Sequence, residues 1–261
     1  MEAQNTTWID VHCHLDKLED DGAVSIPRAF AAGVQKIITI GTGPEDHPFI
    51  VEAVNKWSPN VFGTLGVHPH DANQWTPEVK KYIEDHIHHP RIVAVGEIGL
   101  DYYYNHSDKE TQIRAFREQL ELSITHNMPV EIHTRDAEED TVKILNDYKG
   151  QAKGLIHCFT GTQYLADEVL KLGFHISISG VVTFKSAEAL REVVTSIPLD
   201  AIHVETDAPF LAPVPCRGQQ NKPELILHTA EKVAQLKGVS IGDLKAQVYK
   251  NALKIFPKLK S

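Results

Sequence analysis

Cysteine is scarce in this chain of 261 residues: Cys13, Cys158 and Cys216 form no CxxC pair and leave an odd count. That argues against a disulfide scaffold and fits reduced thiols in a cytosolic compartment. Long apolar runs are missing as well. No stretch approaches the roughly 18 apolar residues that a membrane helix needs, so no membrane contact is expected. Met1–Thr7 has neither a basic nor an apolar segment, which speaks against a secretory leader. Positive charge is in deficit, with 26 Lys and Arg against 35 Asp and Glu for a net charge of −9. A long grip on duplex DNA, which depends on many Lys/Arg–phosphate contacts, is disfavoured. An enzyme that takes only the end of a strand is compatible, because bound cations supply positive charge locally. No GxGxxG or Walker-type loop follows any apolar run.

What the chain does have is a repeating alternation of short, β-branched apolar runs with helical stretches. Strands are predicted at Trp8–His12, Lys36–Ile40, Phe62–Val67, Ile92–Glu97, Pro129–His133, Gly154–His157, His175–Ser179 and Ile202–Glu205. Between and after them, 3.6-residue periodicity predicts helices, the last two at about Pro223–Leu236 and Ile241–Ile255. Gly33, Gly173 and Gly238 stand where helices should stop. Eight strands alternating with helices, in a length normal for the fold, predict an α/β protein with a (β/α)8 TIM barrel. An open doubly wound sheet ranks second, for want of a nucleotide-binding loop. No linker or charge block divides the chain, so one domain over residues 1–261 is expected, as a monomer.

Fifteen histidines are many for this length, and their positions matter more than their number. Working residues of such barrels sit at the C-terminal ends of the strands. His12 and His14 close the first predicted strand, Glu97 the fourth, His133 the fifth and His157 the sixth. Asp207 lies just past the eighth. Residues i and i+2 of a strand share a face, so His12 and His14 can reach one ion while Cys13 points away. Four imidazoles and two carboxylates exceed one tetrahedral set. They suit two divalent cations bridged by a carboxylate, with zinc, manganese and magnesium all compatible. Glu97 is the natural bridge.

The motifs IDVHCHLD (Ile9–Asp16), GVHPH (Gly66–His70), VGEIGLDYYY (Val95–Tyr104), PVEIHTRDA (Pro129–Ala137), HCFTG (His157–Gly161), SGVVTF (Ser179–Phe184) and VETDAPFLAPVPCRGQQNKP (Val204–Pro223) run in order over nearly the whole chain. In them the sequence resembles the TatD family of metal-dependent deoxyribonucleases, among the amidohydrolase-like barrels. The resemblance implies that His12, His14, Glu97 and Asp207 hold one ion, and that Glu97, His133 and His157 hold a second. It also implies hydrolysis of DNA phosphodiesters from single-stranded or frayed ends by metal-activated water. Asp207 is the expected general base, since a carboxylate next to both ion and water can take the proton.

His68, Arg135, Glu205 and Arg217 are the expected substrate contacts: His68 and the arginines toward phosphate, Glu205 toward substrate or a ligand. Lys185 ranks below them. Tyr102, Tyr103 and Tyr104 either stack an unpaired base or pack between helices. Two positions depart from the family pattern. Cys216 stands where Tyr or His is common, and Glu131 stands where the family has an aliphatic residue. Glu131 shares a face with His133 and is expected in a buried ion pair rather than behind a ligand. His86, His88 and His89 read as a polar turn, and Lys258 and Lys260 as a short basic tail. Two other functions compete. The same centre would serve an ester or amide, such as a D-aminoacyl-tRNA or a small cyclic amide; a non-catalytic binder would not need a complete ligand set.

Overall fold

In the computed structural model, which describes residues 6–260, the eight apolar runs pair in chain order into one parallel sheet. The strands are β1 (Trp8–Cys13), β2 (Val34–Thr39), β3 (Val61–Leu65), β4 (Ile92–Asp101), β5 (Val130–Arg135), β6 (Gly154–Ile156), β7 (His175–Ile178) and β8 (Ile202–Val204). A parallel bridge between Cys13 and Ala208 joins the last strand region to the first, giving a (β/α)8 barrel. Most of Met1–Thr7, read above for a leader, lies outside the described residues. Among the described residues no helix is long and apolar enough to cross a membrane.

The helices are α1 (Ser25–Ala31), α2 (His47–Lys56), α3 (Pro77–His86), α4 (Lys109–Thr125), α5 (Glu138–Asp147), α6 (Gln163–Lys171), α7 (Glu188–Ser196), α8 (Ile226–Lys237) and α9 (Ile241–Ile255). Thr76, Asp108 and Ser240 cap α3, α4 and α9 by accepting from backbone N–H groups of the first turn. Gly238 ends α8 in the left-handed conformation, as the sequence suggested.

Two apolar layers form. The larger lies between sheet and helices, where Ile37, Ile132, Ile156 and Ile202 are buried with helix residues such as Val54, Phe116 and Val233. The smaller gathers Ile9, Val11, Ile38, Phe62 and Leu155 with Phe256 and Leu259 from the C-terminal segment. Lys258 is not a free basic tail. Its ammonium donates to the carbonyls of Ile87, His89 and Ile92, at 2.9, 3.1 and 2.7 Å, and pins that segment across the start of β4.

Two slips of register aim the polar residues inward. Asp10 pairs with Ile37 and Cys13 with Thr39, so β1 holds one extra residue between them. Ile9 and Val11 lie in the smaller cluster, yet Cys13 lies in the larger one. The face changes within the strand, and the His12/His14 side of it turns into the barrel. In β4 the same happens between Val95 and Ile98, around Glu97. An extra residue that re-aims a side chain beside a functional site is a common use of a bulge.

Most strand ends fall within two residues of expectation, and the largest departure is in β4. β4 continues past Glu97 to Asp101, and β5 past His133 to Arg135, because Gly99, Leu100 and Asp101 go on pairing with His133, Thr134 and Arg135. Arg135 therefore closes β5 rather than standing on the following loop. Gly99 permits this: its φ is +138°, and a Cβ there would meet the His133 carbonyl oxygen at 1.9 Å. Gly66 and Gly96 meet backbone to backbone in a similar way, with a Cβ on Gly66 only 2.7 Å from the Gly96 carbonyl carbon.

Gly99→Ala is expected to lower stability by about 2–4 kcal/mol, through a strained φ and overpacking. Chemical denaturation measures it, and an unchanged midpoint would contradict the reading.

Candidate metal centre

The rim of the barrel brings His12, His14, Glu97, His133, His157 and Asp207 together. Asp207 lies outside any strand and is tied in by the closing bridge. Its N–H donates to the His12 carbonyl at 2.9 Å, and Ala208 accepts from the His14 N–H at 2.7 Å. Its φ of +57° is one that Asp tolerates better than most residues.

The two oxygens of Glu97 face different partners. Oε2 lies 3.5 Å from His12 Nε2 and 4.0 Å from His14 Nε2. Those nitrogens are 3.3 Å apart, and Asp207 Oδ1 is 3.4 Å from His14 Nε2 and 3.8 Å from His12 Nε2. Oε1 lies 3.1 Å from His133 Nδ1 and 2.8 Å from His157 Nε2, which are 3.4 Å apart. Ligand atoms about 2.0–2.2 Å from a tetrahedral ion are separated by roughly 3.3–3.6 Å. Both sets approach that spacing and consist of imidazoles and carboxylates, so the residues fit a pair of divalent cations with Glu97 between them.

The imidazoles are held from behind. His12 Nδ1 is 2.8 Å from Glu131 Oε2, His157 Nδ1 is 3.3 Å from Glu205 Oε1, and His133 Nε2 is 2.9 Å from Asp101 Oδ2. Each carboxylate accepts a hydrogen bond from one ring nitrogen, so that a neutral ring turns its other nitrogen's lone pair toward the centre. Glu131, expected in a generic ion pair, is thus the partner of a candidate ligand. Glu205, expected toward substrate or a ligand, is fully buried behind His157 and also accepts from the Cys158 N–H at 2.7 Å. A carboxylate spent there orients a ligand and does not reach the cleft.

His68 plays a different part. Its Nε2 is 3.4 Å from Glu97 Oε1, within reach of the second set. However, Nδ1 accepts from the His70 N–H at 3.1 Å, so the neutral ring carries its proton on Nε2. Burial lowers its pKa to about 4, against the pull of Glu97, and keeps it neutral. His68 therefore presents a donor to the cleft, suited to an anion.

Protonation follows the same geometry. Burial works against ionisation of Glu97, but the facing imidazoles, His157 and His68 first and then His12 and His133, outweigh it, holding its carboxyl well below the usual range. Burial likewise opposes charge on His157 and His133. Contact with Glu97 and Glu205 nevertheless raises His157 well above the ordinary value, and hydrogen bonds to Asp101 and Glu97 raise His133. His12 is lowered to about 3 by burial and by the neighbouring His157.

Above the centre opens a cleft of about 780 Å³, with His14, His68, Glu97, His133, His157 and Asp207 among the residues of its floor and walls. Arg135 reaches it, with its guanidinium 4.1 Å from the Tyr103 ring and 4.8 Å from that of Tyr104. Tyr104 lines the cleft, whereas Tyr102 bonds Asp140 away from it. Arg217 does not line the cleft; it lies 3.9 Å over Phe184, which does. Lys185 is exposed and outside it. Sequence reasoning missed three participants: Lys17 and His70, which line the cleft, and Asp101, which binds both His133 and His70. Asp101 stands four residues after Glu97 within VGEIGLDYYY, so strand parity alone would have placed it on the same face.

A family model described as TatD related DNase matches residues 9–257. In Bacillus subtilis, the uncharacterized metal-dependent hydrolase YabD is 38% identical over 252 residues, 95% of this chain and 98% of its own. A 3′-5′ ssDNA/RNA exonuclease TatD of Erwinia tasmaniensis is 35% identical over 237 residues, 88% of this chain and 92% of its own. Among solved structures, the TatD homologue YjjV of Escherichia coli superposes with a TM-score of 0.88 at 27% identity, covering 97% of this chain and 99% of that one.

Two outcomes follow from the held imidazoles. Asp101→Ala and Glu131→Leu should each weaken manganese binding by roughly 10–100-fold in calorimetry, as loss of a ligand's supporting partner typically does; wild-type affinity in both would refute the arrangement. Because His133 and His157 hold their protons above the ordinary value, a cation must displace them. Affinity should therefore fall steadily as the pH is lowered, beginning above the ordinary histidine range, and a pH-independent affinity would contradict it.

Proposed function

Because the chain belongs to the TatD family of metal-dependent hydrolases, we propose that it is a deoxyribonuclease that removes nucleotides from unpaired DNA ends. The observation that carries the reading is the two-sided placement of Glu97, with His12 and His14 nitrogens near one oxygen and His133 and His157 nitrogens near the other, on the floor of an open cleft. His12, His14, Glu97 and Asp207 would hold one cation, and Glu97, His133 and His157 the other. Cations in such a pair neutralise a phosphoryl group and make water nucleophilic near neutral pH.

The rest falls to the chain's own groups. Asp207 lines the cleft and takes the proton of the attacking water, because its carboxylate is the one at the centre that is both partly open and not shared between the two sets. Hydrogen bonds to Glu131, Glu205 and Asp101 keep the imidazoles of His12, His157 and His133 oriented, so little reorganisation accompanies substrate entry. His68 donates its Nε2–H to a phosphate oxygen, and Arg135 adds a guanidinium suited to paired contacts with the next phosphate. The exonuclease named among the relatives supports this substrate class. An acidic chain with only Lys17 and Arg135 as cationic residues lining the cleft fits an end-binding enzyme better than one that tracks a duplex.

The test offers labelled single-stranded DNA, RNA, blunt duplex and aminoacyl-tRNA in parallel, with manganese, magnesium or zinc. Single-stranded DNA should be shortened from an end, with loss of activity on chelation and recovery on adding metal. Asp207→Asn should lower kcat by roughly 10²–10⁴-fold, the range typical for a lost general base. Hydrolysis of the aminoacyl ester alone would move the chain to the competing ester chemistry, and full activity of the variant would remove Asp207 as base.

A further inference from the structure

The smaller apolar cluster draws on β1, β2, β3, β4 and β6 but takes nothing from β7 or β8. Ile176 and Ile178 of β7, and Ile202 and Val204 of β8, belong instead to the layer between sheet and helices. Strand alternation therefore turns His175, Ser177, His203 and Glu205 into the barrel, where none is more than 2% exposed. Ser177 lies directly opposite His203 in the parallel register. Glu205 follows His203 by two residues on the same face, so a polar column climbs one side of the interior toward the metal centre.

Its hydrogen bonds run in one direction. Lys254 is exposed on α9, two residues before the Phe256 that packs into the smaller cluster. Its ammonium lies 3.4 Å from His175 Nε2, and His175 Nδ1 is 2.8 Å from His203 Nε2. An ammonium can only donate, so His175 accepts on Nε2 and its Nδ1–H donates to His203. Burial, and then the charge of Lys254, lowers His175 to about 4. Burial and the neighbouring His175 hold His203 well below the ordinary value, so both rings are neutral. The one proton of His203 therefore sits on Nδ1.

That N–H has no hydrogen-bond partner among the described residues, and neither has Ser177 Oγ or Glu205 Oε2. Buried polar atoms are rarely left so, and these three belong to adjacent inward positions of two paired strands. Their chemistry selects the partner. The N–H repels a cation and the carboxylate repels an anion, whereas water both donates and accepts.

We infer that a buried water site lies between His203, Ser177 and Glu205, and that the column from Lys254 through this water orients His157 from beneath. His203 donates to the water, and the water donates to Glu205 Oε2. Glu205 Oε1 in turn accepts from His157 Nδ1, 3.3 Å away. Lys254, His175 and His203 are thus positioning residues at the opposite end of the barrel from the cleft. The positioning role rests on the reading of His157 as a cation ligand; the water site stands without it.

The test begins with the zinc-loaded protein. A high-resolution crystal structure should show an ordered water within hydrogen-bond distance of His203 Nδ1 and Glu205 Oε2. Nitrogen-15 resonances of labelled histidine should show His175 and His203 each as a single Nδ1–H tautomer. Direct packing of His203 on Glu205 with no water between them would overturn the site, as would an Nε2–H tautomer of His203.

Lys254→Met removes the donor from an exposed position, so the fold should persist. Both rings should then become tautomer mixtures, and manganese affinity should fall roughly 10-fold, the lower end of the range for lost outer support. Lys254→Arg should restore both. Wild-type affinity in Lys254→Met would overturn the positioning role, as would an affinity lost with no change of tautomer. His157→Ala separates the two levels of the account. If it loses manganese while Lys254→Met keeps it, only the positioning role falls. If it binds manganese as the wild type does, the ligand reading falls and the positioning role falls with it.

Discussion

The contact of one buried carboxylate with histidines from four strands organises the upper half of this barrel. Glu97 is 2% exposed, and an ion so placed costs several kcal/mol unless opposite charge or hydrogen bonds surround it. Here His12, His133, His157 and His68 come from β1, β5, the end of β6 and the turn after β3, and all approach its two oxygens. The imidazoles of His12, His157 and His133 are held in turn by Glu131, Glu205 and Asp101, which are themselves fully buried. More acid has been placed inside than neutral histidines can balance. Burial pushes Asp10, outside the centre but near Glu205, up to about 8 despite its bonds from Thr206. Divalent cations held at Glu97 would supply the missing positive charge and would link metal binding to the integrity of the rim.

Below that layer the barrel is mostly apolar. Ile9, Val11, Ile38, Phe62 and Leu155 fill its lower interior, and Phe256 and Leu259 close it. This division of labour lets the rim depart from regular pairing. The extra residues in β1 and β4 fall where a ligand must be turned inward, and Gly66, Gly96 and Gly99 let backbones approach where a side chain would collide. Local irregularity is tolerated because the packed layers on either side fix the strands.

Much of this was legible in the sequence, for reasons that differ by residue. The alternation of β-branched runs with helical periods gave the barrel, since parallel strands covered by helices leave that pattern. The six candidate ligands stood out because each polar residue broke an apolar run near its end. Asp101 did not, because Gly96 and Gly99 made β4 look finished at Glu97; pairing with β5 carries it on. The bulges were invisible for a similar reason, as register depends on the neighbouring strand. Glu131 and Glu205 were visible as inward-facing acids, but their assignment to His12 and His157 needed the angle between strands. Arg217 was expected at phosphate from its loop position, and only the fold shows it lying on Phe184.

The account depends on Glu97 joining two cations, and electron paramagnetic resonance of the manganese-loaded protein examines that directly. Exchange coupling between paired manganese ions should be seen in the wild type and be lost in Glu97→Gln. A spectrum of isolated manganese ions at full loading of the wild type would contradict the bridge, and with it the reading of the rim as a two-cation hydrolytic centre.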